Sequence, residues 1–164
     1  MSTTPPIEWK FSRFDSLSPQ EVHDFLAARQ DVFIVEQTCI FQDIDGHDPG
    51  CWHLLGYGTV DKAADGEGRS QLAAYSRIVP PGVIFAQSSI GRIITTTKFR
   101  GRNIGRELMR QSIESCQSTF PGPIRIAAQI HLEKFYDEFG FTRASDPYDE
   151  DGIEHIEMLR AESA

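Results

Sequence analysis

The sequence has few cysteines, no long apolar run and a shortage of positive charge. Its three cysteines, Cys39, Cys51 and Cys116, are odd in number and follow no framework spacing. That excludes a disulfide-stapled scaffold and points to free thiols in a reducing compartment. No apolar stretch approaches the ~18 residues that cross a bilayer. The first ten residues, M-S-T-T-P-P-I-E-W-K, have neither the basic nor the apolar region of a secretory signal. A cytoplasmic protein with no membrane partner is the expectation. With 16 Lys and Arg against 24 Asp and Glu, the formal net charge is -8. The broad basic surface that nucleic-acid backbones require is missing, so no nucleic-acid partner is expected. Internal repeats and linkers are absent as well. At 164 residues, 40% hydrophobic and 24% charged, the chain can bury one core without staples, and residues 1–164 read as a single domain.

Two common phosphate motifs are also missing, the P-loop G-x-x-x-x-G-K-[ST] and the dinucleotide turn G-x-G-x-x-G. What is present instead is K-F-R-G-R-N-I-G-R at residues 98–106, with four basic residues and no acidic one. It follows a β-branched apolar run, residues 89–97, and leads into a helical pattern. A glycine-bearing basic loop therefore joins a strand to a helix start, where unpaired N–H groups and a partial positive charge favour an anion, phosphate above all. A solvated turn explains the loop equally well when it is taken alone.

The rest of the chain supplies its frame. Residues 7–14 alternate with period two and predict a strand. Ser18-Pro19-Gln20-Glu21 form a capping box with proline at the first helical position. Val22, Phe25, Leu26 and Arg29 follow at helical spacing, and Val32 and Phe33 extend the face toward an end near Glu36. Residues 38–50 are polar, with an acidic D-I-D-G-H-D run, and read as an ordered loop or short helix. Residues 52–59 and 71–79 predict an antiparallel pair joined by residues 61–69, and Pro80-Pro81-Gly82 breaks the chain. A strand at 89–97 precedes a helix carrying Ile104, Leu108, Met109, Ile113 and Cys116 on its apolar side. A short buried strand follows at 124–128. Leu132, Phe135, Tyr136 and Phe139 mark an amphipathic helix stopped by Gly140. Strands at 141–144 and 153–160 flank an acidic loop, residues 146–151. The order implies an α+β protein, a mixed sheet with helices on both faces.

With the basic loop and the second aromatic helix both in view, the sequence resembles the GNAT family of acetyl-CoA-dependent N-acetyltransferases. The family's phosphate loop, [RQ]-x-x-G-x-[GA], is matched by Arg100, Asn103 and Gly105, with Asn103 standing where glycine is usual. Asparagine is the least costly replacement for glycine at a left-handed position. The family's Y-x-x-x-G-F appears as Tyr136, Gly140 and Phe141. Gln129 lies seven residues before the tyrosine, where many members have an asparagine on the cofactor arm. The stretches V-F-I-V-E-Q (32–37), Q-D-I-D-G (42–46), A-A-Q-I-H-L (127–132) and D-G-I-E-H-I-E-M (151–158) resemble the ElaA-like branch, so the likeness spans nearly the whole chain.

The resemblance implies a mostly antiparallel sheet whose fourth and fifth strands splay apart around acetyl-CoA. It implies that Ile93, Ile94 and Thr95 pair with the pantetheine arm. Arg100, Gly101, Arg102, Asn103, Ile104, Gly105 and Arg106 would wrap the pyrophosphate, and Gln129 would touch the arm. A homodimer is a habit of the family. Tyr136 matches its usual acid, which protonates or hydrogen-bonds the leaving thiolate; a core aromatic is the bland alternative.

Transfer to an amine requires that the amine be neutral. A free lysine-like amine has a pKa of about 10.4, so only roughly one in a thousand is neutral at pH 7, and a base or a placed water must take the proton. Residues 88–97 hold no acid, which leaves Glu36, His155 or water. A helix-end surface charge and a structural histidine are the competing readings of the first two. His131 opens the second aromatic helix, where it would cap the helix or line the acetyl pocket.

Asp43, Asp45 and Asp48 lack EF-hand spacing and read as a solvated or substrate-facing acidic loop. Cys39, His47, Cys51 and His53 fit no common zinc spacing, and no metal is expected. The acidic loops 42–48 and 146–151 suggest a cationic acceptor. The enzyme reading is direct acetyl transfer from acetyl-CoA to a primary amine in a ternary complex, since no cysteine stands in a nucleophile setting. The alternative is a non-catalytic acyl-CoA-binding module of the same fold.

Overall fold

The computed structural model describes residues 6–60 and 68–162. In chain order its main elements are β1 (Glu8–Arg13), α1 (Pro19–Arg29), β2 (Trp52–Val60), β3 (Arg69–Val79), β4 (Ser89–Thr95), α2 (Ile104–Thr119), β5 (Ile124–Gln129), α3 (Glu133–Asp137), β6 (Phe141–Arg143), β7 (Tyr148–Glu150) and β8 (Ile153–Arg160). The expected connection at 61–69 lies largely outside the described residues.

The strands form two four-stranded sheets. One runs β1-β2-β3-β4; in the other β5 and β6 flank β8, and β7 pairs with β8 as well. Every ladder is antiparallel. Successive strand residues face opposite sides, and β2 uses this directly. Leu55 joins Phe25, Ala28, Val32, Leu72, Tyr75 and Ile94 in a core under α1. Leu54 joins Ile78, Ile90, Leu108, Met109 and Cys116 in a larger core under α2. Each such side chain contributes ~1.5–3 kcal/mol by leaving water, so the two helices are held on opposite faces by neighbouring residues of one strand. Ser112 ties α2 further to β3 through a buried hydroxyl pair with Ser76, 2.7 Å long.

Among the described residues the backbones of the two sheets are bridged at one end only. Ser88 and Ile124 form a parallel bridge, and the Arg125 N–H donates to the Ser88 carbonyl at 3.0 Å. Beyond it β4 and β5 share no ladder among the described residues, so they diverge and leave a wedge between them. β4 is also bulged. Between the pairs Arg77–Gly91 and Tyr75–Ile94 it carries one residue more than β3, and Arg92 in that interval has φ 52°. A bulge sharpens local twist and re-aims side chains, here along the wedge.

Several details depart from the sequence reading. The capping box at Ser18 and Glu21 is fully formed, but the helix does not continue as α. Gln30–Glu36 is a π-helix, and the Gln37 N–H donates five residues back to Val32 at 3.2 Å. Over seven residues an apolar face with a slightly longer period cannot be told from 3.6. The acidic loop at 146–151 contains β7, too short and too polar for alternation to reveal. The aromatic helix is shorter than expected, with a 3₁₀ turn at Ile130–Leu132 before α3. Gly140 ends that unit at φ 82°.

Urea unfolding should separate the two kinds of support. Leu108→Ala, in the α2 core, is expected to cost ~2–5 kcal/mol, and Ser18→Ala, which removes only the cap, ~1 kcal/mol.

Candidate active site

The basic loop is anchored by Phe99, 2% exposed, whose ring lies against Gly58 so closely that a Cβ there would collide with it. From this anchor the chain turns through two left-handed residues, Gly101 at φ 77° and Asn103 at φ 61°, ψ 14°. Asn103 is the N-cap of α2, and its carbonyl accepts from the Glu107 N–H at 3.4 Å. The first-turn N–H groups of Ile104, Gly105 and Arg106 therefore point out of the helix with no partner in it. Arg100 donates from Nε to the Thr95 carbonyl at 3.0 Å and clasps Glu36 through both terminal nitrogens at 2.8 and 3.0 Å. Arg106 clasps Glu138 through Nε and one terminal nitrogen at 2.9 and 3.0 Å. Arg102 stacks over the Phe99 ring at 5.6 Å and has no carboxylate partner among the described residues.

The wedge between β4 and β5 opens into a cleft of about 440 Å³. Of the three β4 residues expected on the cofactor arm, Ile93 lines the cleft. Ile94 is buried in the α1 core, and Thr95 pairs with Ala74; any contact with the arm from these two would be through backbone. Across the gap, Gln129 lines the cleft and donates to the Gln37 side chain at 3.3 Å. His131 is exposed and makes no capping bond; Leu132 occupies the N-cap of α3. Glu36 faces Arg100 on the outside and does not line the cleft.

Tyr136 combines both readings made of it. Its ring packs edge-on against Phe135 and Phe141, with centroids 5.3 and 6.1 Å away. The residue is only 6% exposed, yet it lines the cleft. Its hydroxyl has no protein hydrogen-bond partner among the described residues and is not sealed from solvent. Burial pushes its pKa up to about 12. His155 lies across β8 from Gln129 and stacks on Tyr148 at 6.0 Å. Its Nδ1 is 2.7 Å from the Ile153 carbonyl. A carbonyl only accepts, so Nδ1 carries a proton, and in the neutral ring the lone pair is on Nε2. Nε2 lies 3.5 Å from Glu150.

The acidic 42–48 loop corrects the sequence reading. Most of its residues are exposed, but its three carboxylates are engaged by three arginines. Arg29, fully buried, binds Asp43 at 2.8 Å and Asp48 at 2.7 Å. Arg77, 1% exposed, binds Asp45 at 2.7 Å and Asp48 at 3.0 Å. Arg92, on the β4 bulge, binds Asp43 at 2.7 Å and stacks over Phe41. Three carboxylates meet three guanidiniums, so the loop offers almost no net charge to an acceptor. Sequence signals for this existed: Arg77 and Arg92 interrupt apolar strand patterns, and Arg29 sits on an apolar helix face. Each was a charge in search of the nearby aspartates.

Of the residues compared with zinc spacings, His53 and Cys39 have other partners. His53 is fully buried and stacks on Phe25, with centroids 4.8 Å apart. Its Nε2 is 3.0 Å from the Asp48 carbonyl and its Nδ1 2.7 Å from the Tyr75 hydroxyl. Burial pushes its pKa down, which keeps it neutral. Burial also drives the Cys51 thiol up to about 11, and Cys39 donates to the Asp151 carbonyl at 3.3 Å.

Both the sequence and the overall fold are matched in known proteins. Residues 61–161 match the model of the acetyltransferase (GNAT) domain. The chain belongs to the GNAT family. It is 42% identical to a UPF0039 protein of Synechocystis over 93% of this chain and 94% of that one. It is 37% identical to Escherichia coli ElaA over 94% and 96%. The crystal structure of ElaA superposes with a TM-score of 0.80, covering 94% of this chain and 99% of that one. An acyl-CoA N-acyltransferase from Pseudomonas aeruginosa, 30% identical, gives 0.82 at the same coverage. The ElaA-like branch and the GNAT α+β fold, with its splayed central strands, are thus established for this chain. A GNAT family acetyltransferase from Elizabethkingia anophelis with acetyl-CoA bound shares the fold at 15% identity and a TM-score of 0.58, over 95% and 98% of the two chains.

The arginine–aspartate lattice makes stability depend on acid in a defined direction. Burial opposes ionisation of Asp45 and Asp48, but hydrogen bonds and charges from Arg77 and Arg29 outweigh it and hold both carboxyls below the ordinary value of 3.8. Stability from them is complete above pH ~4 and is lost as pH falls through the depressed folded values. Urea unfolding at stepwise lower pH should show this fall, and Asp45→Asn should flatten it. Asp48→Ala leaves two buried guanidiniums underpaired and is expected to cost ~3–5 kcal/mol.

Proposed function

We propose that this GNAT protein transfers the acetyl group of acetyl-CoA to a primary amine by direct attack in a ternary complex. The observation that carries the reading is Tyr136, which lines the cleft between the diverging strands with its ring fixed in the core and its hydroxyl without a hydrogen-bond partner among the described residues. The pyrophosphate would sit on the N–H groups of Ile104, Gly105 and Arg106, with Arg102 adding charge and Arg100 and Arg106 exchanging Glu36 and Glu138 for phosphate oxygens. The pantetheine arm would run along β4 past Ile93, with Gln129 opposite.

In the transfer step the neutral amine nitrogen bonds to the thioester carbon, the carbon–sulfur bond breaks, and the sulfur leaves as thiolate. His155 is the better-placed base, because it lines the cleft with its Nδ1 held on the Ile153 carbonyl, whereas Glu36 is engaged by Arg100. It takes the amine proton directly or through water. The role of Tyr136 follows from magnitudes. A thiol of cysteine-like pKa ~8.5 cannot readily strip a phenol near 12, since full transfer is uphill by roughly 5 kcal/mol. The hydroxyl therefore acts as a hydrogen-bond donor to the sulfur as charge develops there, and the thiolate takes its proton from the amine by way of His155 or solvent.

Thiol release from acetyl-CoA with a panel of amines tests the reading. Tyr136→Phe should lower kcat ~10²-fold or more with little change in KM for acetyl-CoA. The wild-type rate should show no loss attributable to tyrosine ionisation below pH ~11. Binding of acetyl-CoA without thiol release for any amine would favour the non-catalytic module instead.

A further inference from the structure

The far end of the cleft has a chemistry of its own. The phosphate loop follows the C-terminal end of β4, whereas the N-terminal end of that strand, where Ser88 bridges Ile124, is the closed end of the wedge. The same cleft is lined by Phe33, Phe41, Val79, Ile84 and Phe85, with Val79 paired to Ser89 at the start of β4. Ile84 is 46% exposed, and Val83 beside it is 45% exposed. Large apolar side chains left in water at a cleft mouth mark a surface that gains by being covered. The charge that might have made this wall polar is cancelled within the arginine–aspartate lattice. Among the described residues lining the cleft, Glu150 and Asp151 are the acids without an arginine or lysine partner, and Glu150 lies beside His155.

We propose that the acceptor is a primary amine borne on a compact apolar body, aromatic or branched aliphatic. Its ammonium is received at the Glu150–Asp151 corner next to His155, and its body lies against Phe33, Phe41, Ile84 and Phe85. This rests on the acetyl-transfer reading and adds the acceptor class to it. A polyamine fits poorly, because its further ammonium groups would be desolvated against an apolar wall with no partner. A free amino acid fits poorly as well, because its carboxylate would face two unpaired acids. A cleft of about 440 Å³ falls in the range of small-molecule sites, which suits a compact molecule better than an extended one.

The test pairs binding with turnover. 2-Phenylethylamine, methylamine, spermidine and a short peptide with N-terminal phenylalanine are titrated calorimetrically into protein saturated with coenzyme A, and the same amines are assayed for thiol release from acetyl-CoA. 2-Phenylethylamine is expected to bind at least tenfold more tightly than spermidine or methylamine and to show the same preference in kcat/KM. Phe85→Ala should narrow its advantage over methylamine about tenfold; Phe85 is half-buried and outside both cores, so the variant keeps its fold. Glu150→Gln should weaken binding of both amines. Equal or tighter binding of spermidine, a tenfold preference for the peptide, or an unchanged ratio in Phe85→Ala would overturn the proposal. If the binding order holds while no amine releases thiol, acetyl transfer fails and the assignment of the apolar amine site stands.

Discussion

Arg77 is sealed inside the protein, and the position of one wall of the cleft depends on how its charge is met. It projects from β3, the strand that carries the first sheet, and takes Asp45 and Asp48 from a loop with little regular structure of its own. Arg29 from α1 and Arg92 from the β4 bulge complete the lattice. Buried ion pairs give little net stability compared with apolar packing, but breaking one strands a charge. What they supply here is position. A polar loop that could lie anywhere is held against the sheet by bonds of 2.7–3.0 Å, with His53 and Tyr75 continuing the network behind it.

The other wall is held differently. On the β5–β8 side the positions come from apolar burial, with Ile126, Ile156 and Met158 in the core and Tyr136 wedged among aromatic rings. The two halves join at the Ser88–Ile124 bridge and meet again where Gln37 and Gln129 touch across the gap. One wall set by charge and one by packing leave a wedge whose width neither sheet determines alone.

Much of this was legible in the sequence where a local rule governs the outcome. The capping box at Ser18, the apolar face of α2, the stop at Gly140 and the left-handed turn at Asn103 all follow from short-range chemistry, and each is present. Of the two motifs, the one around Tyr136 falls on the cleft and the one around Arg100 falls on the turn after β4. The remainder depends on contacts between distant residues. Nothing within residues 42–48 reveals that their carboxylates face arginines 14 to 49 positions away. Nor does any residue near Glu36 announce that Arg100 holds it outside the cleft. The bulge at Arg92 was hidden for a related reason: an extra residue in a strand alters pairing without altering composition.

The π-helical stretch Gln30–Glu36 carries a constraint of a different kind. Hydrogen bonds reaching five residues back accommodate one more residue per turn than an α-helix does. A single deletion within the stretch would let the segment relax to ordinary α geometry and shift the remaining residues of the stretch by one position on its surface. Phe33 or Gln37 would then leave the cleft even if every remaining side chain were retained. In this segment the number of residues is under tighter restraint than their identities. Substitutions should be tolerated there more readily than any change in length.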